Sequence, residues 1–186
     1  MAVEIGKLIS EVKETIEFSD ITGKVIAVDA YNTIYQFLSI IRQPDGTPLM
    51  DTHGNVTSHL SGILYRTVEI MGYGIKPIYV FDGIPSMLKQ RTIEARMQRR
   101  KEAFDAWQEA KKIGDNEAAK SHAQASTRVD KNIVASSKKL LELMGIPYIN
   151  APSEGEAQAS CMCRTDWSTP RPARTMTPCC SARPTW

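Results

Sequence analysis

Residues Lys24 to Ala30, KVIAVDA, form a short apolar run closed by an acid, which predicts a buried strand of parallel type. From Asn32 to Ile41 the apolar residues recur at helical spacing, and Gln43-Pro44-Asp45-Gly46 supplies turn chemistry to end that helix. Thr52-His53-Gly54-Asn55 predicts a second turn, after which Val56 to Met71 returns to a helical period. Lys76 to Phe81, KPIYVF, predicts a second buried strand, again followed at once by an acid, Asp82. From about Met87 to Thr127 the chain is rich in Arg, Lys, Glu, Gln and Ala and poor in large apolar residues. That stretch predicts one or two solvated helices with a break near Gly114-Asp115. Asp130 is placed to cap a helix over Lys131 to Met144, with Ile133, Val134, Leu140, Leu141 and Leu143 as its core face and Gly145 as its C-cap. Ile146 to Ile149 predicts a third strand. Ser153 is then expected to cap a helix beginning at Glu154, with Glu156 closing a capping box.

Strands alternating with helices predict an α/β fold, a mainly parallel sheet with a helical insertion at 87–127. A chain of 186 residues accommodates one such domain. The domain is expected over 1–165, because the character changes after Thr165. The tail 166–186, DWSTPRPARTMTPCCSARPTW, holds four of the chain's 10 prolines and no Leu, Ile, Val, Gly, Glu or Lys, so no strand or helix period is expected in it.

Composition narrows the chemistry only modestly. A net charge of +2 does not announce a nucleic-acid partner, so local clusters must make that case. The N-terminus mixes acids and lysines with its apolar residues and resembles neither a secretory signal nor a membrane span, so the expected location is intracellular. The four cysteines, Cys161, Cys163, Cys179 and Cys180, crowd the C-terminal end with none of the three histidines nearby, a poor pattern for a disulfide framework or a zinc site. No Walker loop and no nucleophile elbow is present; Gly72-Tyr73-Gly74 reads as a turn before a strand.

The acids carry the strongest signal. In a parallel α/β sheet, ligands bind outside the carboxyl ends of the strands. Asp29 and Asp82 each follow a strand, and Glu154 and Glu156 follow the third. Carboxylates gathered there would repel one another, and hard divalent cations with oxygen preference, such as Mg²⁺, relieve that repulsion. Singly, each acid is as well explained as a turn residue, a helix cap or a response to a helix dipole. Together they predict a divalent-metal site at which phosphoryl chemistry is possible. A second signal is basic: LKQRTIEARMQRRK carries Lys89, Arg91, Arg96, Arg99, Arg100 and Lys101 against the single acid Glu94. Lys89, Arg96 and Arg100 share a helix face just beyond Asp82, where they can hold a phosphate backbone; a solvated helix face explains the same composition.

VIAVDAYNTIYQFL, TSHLSGILYRT, GIKPIYVFDGIPSMLK and APSEGEA resemble, in order and at matching intervals, the successive N-terminal motifs of archaeal and eukaryotic flap endonucleases. The resemblance covers Ile21 to Thr165. It implies a PIN-like nuclease core with a helical arch at 87–127, and a two-metal, Mg²⁺-dependent enzyme that cuts 5′ flaps in DNA replication and repair. It also implies a sliding-clamp partner. By the same resemblance Asp29, Asp82, Glu154 and Glu156 hold metal, and Lys89 and Arg96 address the scissile phosphate. Tyr35 stacks on the substrate near the cut, and Arg42, Arg66, Arg100 and Glu154 lie along the DNA. A related single-strand ribonuclease of the same topology is the enzymatic alternative, against which the basic arch stripe argues. Ala2 stands where the family has Gly, and a further acidic motif, a helix-hairpin-helix module and the clamp-binding tail are not found in these 186 residues.

The genetic code suggests an origin for the tail. Read from the third base of the Thr165 codon, the codons that follow can spell Gly-Leu-Val-Asp-Ala-Ala-Ala-Ser-Gln-Asp-Tyr-Asp-Thr-Leu-Leu-Phe-Gly-Ala-Pro, which resembles the family's next segment. One Asp in that frame is forced, because the Met176 codon ends in G and the Thr177 codon begins with AC. The expectation is therefore a frameshifted tail, and a chain with incomplete second-metal ligands, weak cation affinity, little nuclease activity and at most weak DNA binding.

Overall fold

The computed structural model describes residues 16–85 and 89–164. The tail and its proposed frameshift lie outside the described residues, as does Met87 at the start of the insertion. Three strands, β1 (Val25–Asp29), β2 (Lys76–Phe81) and β3 (Tyr148–Asn150), form a parallel sheet in the order β1-β2-β3. The register sets Asp29 beside Val80 and Phe81 beside Asn150, so all three strands leave the sheet at one edge. The central strand is apolar throughout its buried length because both of its faces are covered.

Helices α1 (Ala30–Ile40), α2 (Ser58–Gly72) and α5 (Lys131–Leu143) cover one face, closing a core of Ile34, Leu38, Ile63, Tyr79, Phe81 and Leu141. Helix α6 (Gly155–Arg164) covers the other face over Ile78, Val80, Ala151 and Met162. Between β2 and α5 rises a helical hairpin, α3 (Gln90–Ile113) and α4 (Asn116–Ala125). Its turn falls at Gly114, which adopts the left-handed conformation, and Asp115 caps α4 through the Ala118 amide. Asp130 caps α5 in the same way at Ile133. Asp29 ends β1 and caps α1 at once, accepting from the Asn32 amide at 2.9 Å. A strand thus passes into a helix with no intervening loop.

Three sequence expectations shift. Leu143 is 75% exposed: Ile133, Ser137 and Leu141 face the core at intervals of four, and a residue two further on points the opposite way. Val56 pairs with Met50 in an isolated bridge, and α2 begins two residues later, at Ser58. Ser153 does not cap α6. Its hydroxyl donates to the Ile84 carbonyl, and the helix starts at Gly155. The amide of Gly155 donates instead to Asp82, a carboxylate from another segment that a local pattern cannot display. Among the described residues no helix is long and apolar enough to cross a membrane.

One buried polar group carries a measurable consequence. His59, fully buried in the first turn of α2, has Nε2 2.8 Å from Ser136 Oγ. The Ser136 hydroxyl donates to the Ile133 carbonyl, so the imidazole must carry its proton on Nε2. Nδ1 is then a buried lone pair with no partner among the described residues. Burial drives the imidazole down to about 4 from its ordinary 6.5, against a small opposing pull from Asp130. Because the folded value lies below the unfolded one, this contribution to stability is complete above pH 6.5 and is lost as pH falls toward 4. The linkage amounts to at most about 3 kcal/mol. Urea unfolding should show that loss for the parent chain and a flatter profile for His59→Gln; identical pH slopes in the two proteins would contradict it.

Candidate active site at the sheet edge

The edge where the strands end collects the acids. Asp29 is the last residue of β1, Asp82 follows β2, and Glu154 and Glu156 flank the first residue of α6. Asp29 is raised above its ordinary value first by burial and further by repulsion from Glu156. Asp82 is raised first by burial as well, and both Asp29 and Glu154 push it further. The structure therefore brings the four acids within one another's fields. They do not close on a single point: among the described residues no three His, Cys, Asp or Glu side chains form a metal-holding group.

Each acid is partly held by the chain. Asp29 is fixed by its helix cap and Asp82 by the Gly155 amide at 2.6 Å. Gly155 permits that approach, since a Cβ there would lie 2.6 Å from Asp82 Oδ1. Glu154 divides its two oxygens. Oε2 receives the Lys89 ammonium at 2.6 Å, and Oε1 is buried with no hydrogen-bond partner among the described residues. A buried, unpartnered carboxylate oxygen in a set of repelling all-oxygen donors fits a hard divalent cation. Asp29, Asp82, Glu154 and Glu156 are the residues that would hold it.

The basic residues divide by element. Lys89 is the N-cap of α3 and Arg96 lies exposed two turns along. Arg100, a further turn on, sets its guanidinium 5.5 Å from the centroid of the Tyr35 ring on α1. Tyr35 thus faces the arch. Arg42, just after α1, donates to the carbonyls of Leu38 and Gly46 and to the Thr127 hydroxyl, engaging three of the five donors of a guanidinium. Burial lowers it from its usual range. Arg66 sits on α2, in an exposed pair with Glu69 at 2.7 Å.

Tyr31 escaped the sequence reading. It follows the cap of α1, packs edge-on against Phe81 and feels the field of Asp82, which, after burial, raises its phenol. Its nearness to Asp29 in the sequence was the available signal.

The XPG N-terminal domain matches residues 1–103 of the chain. Flap endonuclease 1 of Pyrococcus furiosus is 54% identical over 162 residues, 87% of this chain and 47% of that protein. Flap endonuclease 1 of Methanoculleus marisnigri is 53% identical over 164 residues, 88% of this chain and 49% of that protein. Among solved structures, flap endonuclease-1 from Methanococcus jannaschii superposes with a TM-score of 0.61 at 42% identity, covering 89% of this chain and 52% of that one. The catalytic core of Rad2 in complex with DNA substrate superposes with a TM-score of 0.61 at 28% identity, covering 86% and 42%. The chain spans about half the length of the curated relatives it matches.

A cation bound at this edge would compete with Lys89 for Glu154, with which Lys89 is now paired. Their ion pair is more than a third exposed on both sides, which limits its worth to roughly 0.2–1 kcal/mol. Lys89→Met should therefore tighten Mg²⁺ binding, measured by calorimetry, by about 1.4- to fivefold. Weaker binding by the variant would mean that Lys89 does not oppose the cation.

Proposed function

The chain belongs to the XPG N-terminal domain family of nucleases, and from that premise we propose that it carries the N-terminal half of the active site of a Mg²⁺-dependent, structure-specific 5′ flap endonuclease. The observation that carries the reading is the convergence of Asp29, Asp82, Glu154 and Glu156 on one sheet edge, with Lys89 leaning over it from the arch. The relatives named flap endonuclease 1 and the Rad2 core bound to DNA substrate support DNA as the polymer.

A bound divalent cation would supply activation of water and polarisation of the phosphodiester at this edge. The chain's own residues do the rest. Lys89 and Arg96 place positive charge where negative charge develops on the phosphate. Tyr35 offers a ring for a base, in exchange for the Arg100 guanidinium that faces it now. Arg66 and the remaining donors of Arg42 address the backbone, a salt-sensitive and sequence-independent contact. Replication and repair flaps are the substrates this reading assigns to the whole protein, with a sliding clamp as its partner.

The composition break after Thr165 favours a second reading of the chain as it stands: a frameshifted product that binds flap DNA weakly and does not cut it. A labelled 5′ flap substrate, incubated with Mg²⁺ or with EDTA, separates the two. Under the first reading cleavage requires Mg²⁺, and Asp29→Asn or Asp82→Asn removes it. Lys89→Ala and Arg96→Ala should each slow single-turnover cleavage by about 10²-fold while DNA affinity changes little. Under the second reading binding appears without cleavage. Resequencing across the Thr165 codon then shows whether the alternate frame spells the Asp-x-Asp segment.

A further inference from the structure

Among the described residues, the buried part of α3 lies at one end of the helix. Of the 24 residues of α3, Ala110 alone is buried, and it lies in the last turn. Around it the helix is seated on the turn between α1 and α2. Trp107 donates its indole N–H to the Asp45 carbonyl at 2.9 Å. Lys111 reaches Asp45 Oδ2 at 2.8 Å and the Thr47 hydroxyl at 2.9 Å. Gly46 has φ +80, and a Cβ on it would meet Ala123 Cβ at 2.7 Å, the Ala119 carbonyl at 2.9 Å and Trp107 Nε1 at 2.9 Å. From beneath, Arg42 joins the Gly46 carbonyl to Thr127, where the arch returns to the domain. Asp45 and Lys111 thus meet across 66 residues of sequence.

The other end of α3 carries Lys89, in its ion pair with Glu154. A helix rises about 1.5 Å per residue, so roughly 32 Å separates Lys111 from that end. A tilt of about 5° at the seat moves the far end by about 3 Å over that length. That distance is enough to break an ion pair, and the contact of Arg100 with Tyr35 on the way, 5.5 Å from guanidinium to ring centroid, is a loose one. Small changes at the seat are therefore amplified at the catalytic edge.

We propose that the turn Gln43–Thr47 is the socket that sets the position of the arch, with Asp45, Gly46 and Lys111 as positioning residues for Lys89 and Arg96. The inference rests on reading the helical hairpin as the arch over the active site. Its test needs neither DNA nor cleavage, so it stands or falls apart from the nuclease assay. A carbodiimide joins a lysine to a carboxylate only at ion-pair distance. The full chain is treated with it, and the Lys89–Glu154 cross-link is quantified by mass spectrometry against the Lys139–Glu142 pair on α5, 3.5 Å apart, as internal standard. Lys111→Met and Gly46→Ala should each lower the relative Lys89–Glu154 yield at least threefold, and shift the Trp107 indole N–H resonance. Lys111→Arg, which keeps the charge, should retain the parent yield. The proposal is overturned if both disruptive variants keep the parent yield, if Lys111→Arg loses as much as Lys111→Met, or if the parent chain gives no such cross-link.

Discussion

Like charges held at one edge of a parallel sheet repel, and much of this molecule can be understood as an answer to that repulsion. Parallel register delivers Asp29 and Asp82 to the same end of adjacent strands, and the turn into α6 adds Glu154 and Glu156. Burial then makes the ionised forms of Asp29 and Asp82 costlier still. The chain offers partial relief in the form of backbone amides at Asn32 and Gly155 and one ammonium from Lys89. It leaves Oε1 of Glu154 without a hydrogen-bond partner among the described residues. A divalent cation bound at this edge would relieve that repulsion.

The hydrogen bonds that hold this edge also build the domain around it. The Asp29 cap starts α1, and α1 supplies Ile34 and Leu38 to the core that supports β2. The bond from Gly155 to Asp82 starts α6, which closes the opposite face through Met162. Candidate catalysis and fold stability therefore share residues. A change at Asp82 alters the electrostatics of the edge and the entry to a helix together.

The arch obeys a different economy. Helix α3 fully buries only Ala110 and packs chiefly against its own hairpin partner α4, so packing against the sheet does little to fix its direction. Its orientation is decided where Trp107 and Lys111 meet the turn after α1. Long solvated helices are well suited to carry charge over an open site, and they need a firm seat to carry it to one place.

The sequence by itself determined the alternation of strands and helices, the break in the arch near Gly114-Asp115, the cap at Asp130, and the placement of an acid after each strand. These are local properties: a period, a cap or a turn is set by residues within a few positions of one another, and KVIAVDA or KPIYVF displays them directly. Motif order added the family. Tertiary structure decided the rest. Ser153 looked like a cap, yet the α6 amide answers to Asp82, 73 residues away. Leu143 fitted the apolar pattern, yet the rotation of α5 against the sheet turns it outward. Arg42 is tied to Thr127, 85 residues away, and the pairing of Lys89 with Glu154 crosses 65. A local pattern records what each residue prefers; which distant group meets it is settled only when the sheet register and the helix rotations are fixed together.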